Sequence, residues 1–166
     1  IAANVEAAGF LKKHKLPALF RIHGKPDEER LEDLKRFLSM RGVHLDITGD
    51  LTPARLQKTL KLIAGRPDAG VLENSIIRSL PQALYQPMNI GHFGLALEEY
   101  AHFTSPIRRY PDLLVHRGIR HALAGGTSAN FDHSPREMEL LGQECSMRER
   151  KADEAARSVV AWLKCE

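Results

Sequence analysis

Residues 100–116 read Tyr100-Ala101-His102-Phe103-Thr104-Ser105-Pro106-Ile107-Arg108-Arg109-Tyr110-Pro111-Asp112-Leu113-Leu114-Val115-His116. Ser105-Pro106 is a cap followed by a first-position proline, which predicts a helix running toward Ala124, with Gly125-Gly126 as its exit. Pro111 would delete a hydrogen bond from the helix interior, so either the helix kinks there or its regular part starts at that residue. Arg108, Asp112 and His116 recur every fourth residue and line one side of this helix, while Arg109 projects about 100° away. The spacing lets Asp112 hold Arg108 through an i,i+4 pair. Two neighbouring guanidiniums at a helix mouth form an anion receptor, because free N–H groups, the dipole and the arginine forks all favour phosphate oxygens. That chemistry points to a nucleic-acid substrate.

Outward from this segment the chain is mostly helical. A helix is expected from the start to about Lys13, then a short strand over Ala18-Leu19-Phe20-Arg21-Ile22. Pro26, with Asp27, Glu28 and Glu29 in the first turn, opens an amphipathic helix through Leu31, Leu34 and Leu38 that Arg41-Gly42 closes. Thr52-Pro53 starts another, with Leu56, Leu60 and Ile63 on one face and Gly65 past its end. A short helix is expected around Val71 to Leu80. Residues 83–87, and Gly91 through His92-Phe93-Gly94-Leu95 to Leu97, read as extended chain, since aromatic and branched residues alternate there with Gly and Pro. Ser134-Pro135-Arg136-Glu137 is a capping box opening a long final helix, and only residues 125–133 resemble a linker. The fold class is α+β, predominantly helical with a small sheet.

The 166 residues carry a net charge of +3, a mild basic bias that suits a phosphate-rich partner. The two cysteines, Cys145 and Cys165, form neither a CxxC pair nor a disulfide framework, and no apolar run is long enough to span a membrane. A cytoplasmic protein with no membrane association is expected. The chain opens and closes within helix-forming sequence without punctuation, so it reads as a segment of a longer polypeptide. His92, His102 and His121 form no metal-ligand spacing, and Tyr85, Tyr100, Phe103 and Tyr110 suit either a core or base stacking.

The run from His92-Phe93-Gly94-Leu95 through Tyr100-Ala101-His102-Phe103-Thr104-Ser105-Pro106-Ile107-Arg108-Arg109-Tyr110-Pro111-Asp112 to His116-Arg117 resembles the signature of the ribonuclease II/ribonuclease R (RNB) family, its ribonuclease R branch most closely. Ile1-Ala2-Ala3-Asn4-Val5, Ile77-Arg78-Ser79-Leu80 and the stretch from Ala152-Asp153-Glu154-Ala155 to Trp162-Leu163-Lys164-Cys165 extend the resemblance over the chain, as the C-terminal portion of a single RNB catalytic domain. It implies processive 3′-to-5′ hydrolysis of single-stranded RNA to nucleoside 5′-monophosphates, with magnesium or manganese held by aspartates. Arg108 maps onto the arginine that contacts the scissile phosphate. The resemblance makes Arg109, Thr104, Ser105 and His102 RNA contacts, and Asp112 an orienter.

The family's metal-binding aspartates and base-clamping aromatics precede this segment, and OB-type RNA-binding domains flank it in the full-length enzymes. Asp46 and Asp50 fall in a loop-like stretch and Asp27 and Asp33 on a solvated helix face, so no metal ligand is assigned here. The expected partners are therefore single-stranded RNA and the remainder of the same polypeptide, and the isolated segment is expected to be inactive. A non-catalytic helical RNA-binding or adaptor module is the alternative reading.

Overall fold

The computed structural model describes residues 1–45 and 50–165. Its contacts divide the chain into two compact units, one of Ile1–Ile22, Leu84–Ile90 and Glu99–Glu166, the other of His23–Ala83 and Gly91–Glu98.

In the first unit, helix α1 (Ala2–Lys13) leads into strand β1 (Phe20–Ile22), which pairs antiparallel with strand β2 (Leu84–Gln86) in the register Phe20↔Gln86, Arg21↔Tyr85, Ile22↔Leu84. This two-stranded sheet is the small sheet expected from the sequence. Helix α5 (Tyr110–Leu123) packs on α1 through Ala7, Ala8, Leu11 and Val115. Gly118 on α5 makes that contact close, since a Cβ there would stand 2.9 Å from Leu11 Cδ2. Helix α6 (Pro135–Leu163) opens with the predicted capping box: Glu137 N–H donates to Ser134 Oγ, and Glu137 Oε2 accepts from Ser134 N–H at 2.7 Å. It lies across β2, where Met138 joins Leu19, Tyr85 and Leu114 in a second core. Residues 125–133 are not a slack linker. They fold into a 3₁₀ turn at Ser128–Asn130 with its own capping box, and Phe131 packs on that second core.

The second unit gathers α2 (Glu28–Met40), α3 (Pro53–Ile63) and α4 (Ala69–Ser79) around Leu34, Leu38, Leu56, Ile63, Leu72, Ile76 and Phe93. Thr52 caps α3 with Pro53 in its first turn, as predicted. Helix α2 is capped by Asp27, whose carboxylate accepts from Arg30 N–H at 2.8 Å, so Pro26 precedes the cap and does not open the helix. The expected extended stretch over residues 91–97 is instead a 3₁₀ turn at Phe93–Leu95. His23 reaches it from elsewhere in the unit: its carbonyl accepts Phe93 N–H at 2.9 Å and its Nδ1 accepts Gly94 N–H at 3.0 Å. His92 closes the turn by accepting Leu95 N–H at 3.2 Å. These long-range acceptors coil a segment whose composition alone suits a strand.

Candidate nucleic-acid site

Helix α5 begins at Tyr110, not at Ser105-Pro106, with Arg109 as its N-cap residue and Pro111 in its first turn. Of the two sequence alternatives, the kink is not needed: the regular helix starts one residue before Pro111, and an N–H missing from the first turn has no intrahelical acceptor to lose. Residues 105–109 form a separate turn, in which the Ser105 carbonyl accepts from Arg108 N–H at 3.2 Å and Arg109 N–H at 3.1 Å.

Asp112 ties that turn to the helix. Its carboxylate, fully buried, accepts Ser105 N–H at 2.7 Å and takes the Arg109 guanidinium bidentately, Nε at 2.8 Å and Nη2 at 2.7 Å. The expected Asp112–Arg108 pair is therefore corrected, since Asp112 holds Arg109. Starting the helix at Tyr110 leaves Arg108 outside the helical repeat, so the i,i+4 register does not apply to it. Burial penalises the Arg109 charge, but the Asp112 hydrogen bonds and charge outweigh this and raise its pKa further. A buried carboxylate so fully satisfied meets the condition for keeping a charge inside the protein.

Arg108 is exposed, and no ion pair or side-chain hydrogen bond engages it among the described residues. Beside it Ile107 is 98% exposed, and Thr104 is exposed as well. The predicted anion receptor thus consists of one guanidinium offered to solvent and one used internally. Ser105 and His102 are half-buried at the same turn and the strand-like lead-in before it.

Residues 100–105 are held from several sides. Asn4 on α1, 5% exposed, donates to Tyr100 Oη at 2.9 Å and accepts Phe103 N–H at 3.2 Å. The Tyr100 carbonyl accepts Arg21 N–H from β1 at 2.8 Å. His116 on α5 stacks on Phe103 at 4.2 Å, with its Nε2 2.9 Å from the Phe103 carbonyl. Tyr85 on β2 reaches His102 Nδ1 with its hydroxyl at 2.8 Å. Over the Tyr85 ring lies the Arg21 guanidinium, 4.5 Å from its centroid and paired to Glu149 of α6 at 2.6 Å. Sequence reading singled out neither Asn4, Arg21 nor Glu149. The available signal was a polar residue at a core-facing position of an apolar helix, Asn4 between Ala3 and Val5.

Among the described residues, no three His, Cys, Asp or Glu side chains gather into a group able to hold a metal ion. Asp46 lies outside the described residues, Asp50 is paired with Lys25 at 2.8 Å, and Asp27 is committed to its helix cap. These donors do not fit the divalent cation that the resemblance implies. No helix among the described residues is long and apolar enough to cross a membrane.

The pattern of the RNB domain matches residues 1–125, which include α1 through α5 and the whole turn bearing Arg108. The chain belongs to the RNB domain family. Ribonuclease R of Escherichia coli (strain K12) is 49% identical over 174 residues, a match covering 100% of this chain and 21% of that protein. The apo form of Mycoplasma genitalium RNase R superposes with a TM-score of 0.91 at 25% identity, covering 99% of this chain and 26% of that one. The same Mycoplasma protein in complex with ribose methylated single-stranded RNA gives a TM-score of 0.90 at 24% identity, covering 99% of this chain and 26% of that one. This RNB segment therefore spans about a fifth of the length of the curated relatives it matches. Helix α6 lies beyond the matched RNB residues yet within the regions shared with both relatives.

Proposed function

We propose that the protein carrying this chain is a processive 3′-to-5′ exoribonuclease acting in the cytoplasm on single-stranded RNA and releasing nucleoside 5′-monophosphates. The observation that carries this reading is the division of labour between two adjacent arginines, Arg109 locked to buried Asp112 and Arg108 held out of the turn with no internal partner among the described residues. Membership of the RNB family and 49% identity to a ribonuclease R support it.

In this reading Arg108 is the catalytic residue of the segment. Its guanidinium faces the scissile phosphate and stabilises charge that grows on a non-bridging oxygen as the phosphodiester bond breaks. Because Asp112 anchors the neighbouring Arg109 and the Ser105 N–H, the turn is already formed before substrate arrives, and little ordering cost falls on the reacting step. Thr104, Ser105 and His102 contact the RNA backbone next to it, and Arg109 does so only through the part of its head group that Asp112 leaves exposed. Magnesium or manganese, the cofactor implied by the family resemblance, is held by carboxylates outside these residues, so the isolated segment releases no mononucleotides.

The test is R108A in the intact protein. Turnover on a single-stranded oligoribonucleotide is expected to fall by about 10²–10³, the range for removing one preorganised charge-stabilising donor, with folding stability unchanged. Turnover within a few-fold of wild type would overturn the reading.

A further inference from the structure

We propose that His116 is a positioning residue for the turn that bears Arg108: with Asp112 it clamps the two peptide groups on either side of Thr104 to helix α5, and so holds the approach to Arg108 in one conformation. This rests on the reading of Arg108 as the residue that faces the scissile phosphate.

Asp112 and His116 lie four residues apart on α5 and therefore share one face of it. Among the described residues neither pairs with Arg108. Both instead reach the backbone just ahead of the turn. Asp112 Oδ1 accepts Ser105 N–H at 2.7 Å, and His116 Nε2 lies 2.9 Å from the Phe103 carbonyl oxygen. That oxygen has no hydrogen to give, so Nε2 carries the proton and donates, in the neutral and the charged imidazole alike. No other hydrogen bond or ion pair engages His116 among the described residues. Its ring lies on that of Phe103, with centroids 4.2 Å apart and planes 13° from parallel, so the Nε2–H is oriented before substrate arrives.

The Phe103 carbonyl belongs to the peptide before Thr104, and the Ser105 N–H to the peptide after it. Because peptide planes are rigid, holding both fixes the two soft dihedrals of Thr104. Thr104 is itself exposed, and no side-chain hydrogen bond restrains it among the described residues. The restraint then passes along the chain, since the Ser105 carbonyl accepts Arg108 N–H at 3.2 Å and Arg109 N–H at 3.1 Å. Without His116 only the Asp112 end of the clamp would remain, and each turnover would bear the cost of ordering this approach.

Two variants of the intact protein separate the donor from the ring. H116Q places an amide N–H the same number of bonds from Cα as Nε2 but has no ring, whereas H116F keeps the stack on Phe103 and has no donor. Saturated turnover of a single-stranded oligoribonucleotide is expected to fall about tenfold in H116F, the worth of one hydrogen bond, with KM within about twofold of wild type; H116Q stays within about threefold of wild type in turnover. Amide exchange at Ser105 reads the clamp itself. It should quicken in H116F, and not in H116Q, by more than the change in global stability accounts for. H116F turning over like wild type, H116Q no better than H116F, or Ser105 exchange that only follows global stability in both variants overturns the proposal. R108A turning over RNA like wild type would instead refute the function proposed above, and Ser105 exchange would still decide whether His116 holds this segment.

Discussion

Asp112 grips Arg109, three residues earlier, and leaves Arg108 to solvent. Both arginines lie within reach of Asp112 on an ideal helix, so the choice between them was made by where α5 starts. Once the Ser105 N–H takes one carboxylate oxygen and the helix begins at Tyr110, the N-cap side chain of Arg109 folds back and completes the carboxylate's coordination.

Arg109→Ala is expected to destabilise the intact protein by about 3 kcal/mol, because Asp112 would remain fully buried without its counter-charge. Asp112→Asn should cost less, since the Arg109 head group is 20% exposed and can recruit water. Urea denaturation midpoints of the two variants check the order, and Arg108→Ala serves as the reference with no stability loss.

Asn4→Ala removes the acceptor of Phe103 N–H and the donor to Tyr100 from a site that is 5% exposed. The expected loss is about 1–3 kcal/mol, the cost of stranding a buried polar group. Hydrogen exchange at the Phe103 amide should accelerate by more than the global stability change accounts for, since α1 would no longer hold residues 100–105.

At Gly142 helix α6 runs close against the Tyr85 backbone of β2. A Cβ there would meet the Tyr85 carbonyl oxygen at 2.5 Å, and backbone cannot move aside as a side chain can. Gly142→Ala is therefore expected to destabilise by about 1–3 kcal/mol despite the better helix propensity of alanine. Gly118→Ala should be milder, because the atom in its way is the mobile end of Leu11. Thermal denaturation of both variants compares them directly.

Burial raises the Tyr85 pKa to about 12, against about 10 in an unfolded chain. The folded state then holds this proton more tightly, so the contribution is fully present below about pH 10 and is lost as pH rises toward about 12. Wild type should lose stability relative to Y85F over that interval, and urea midpoints of both proteins at about pH 9 and about pH 11 test the slope.

What the chain determines locally was legible in it. The Ser134–Glu137 capping box, Thr52-Pro53 and the leucine spacing of α2 placed helices because caps and periodicity depend on residues a few positions apart. Arg108 was legible only as a member of a distinctive run, and its exposure was not, because its spacing from Asp112 suggested a pair that the fold does not make. Other features depended on partners distant in sequence. His23 coiled residues 93–95, Asn4 and Arg21 pinned Tyr100 and Phe103, and the Tyr85 hydroxyl came within hydrogen-bond distance of His102 Nδ1. Such contacts have no local pattern, because each requires two groups to be brought together by packing before either can satisfy the other. The same holds for Asp112, whose sequence spacing suited Arg108 while the tertiary competition for its oxygens gave it to Arg109.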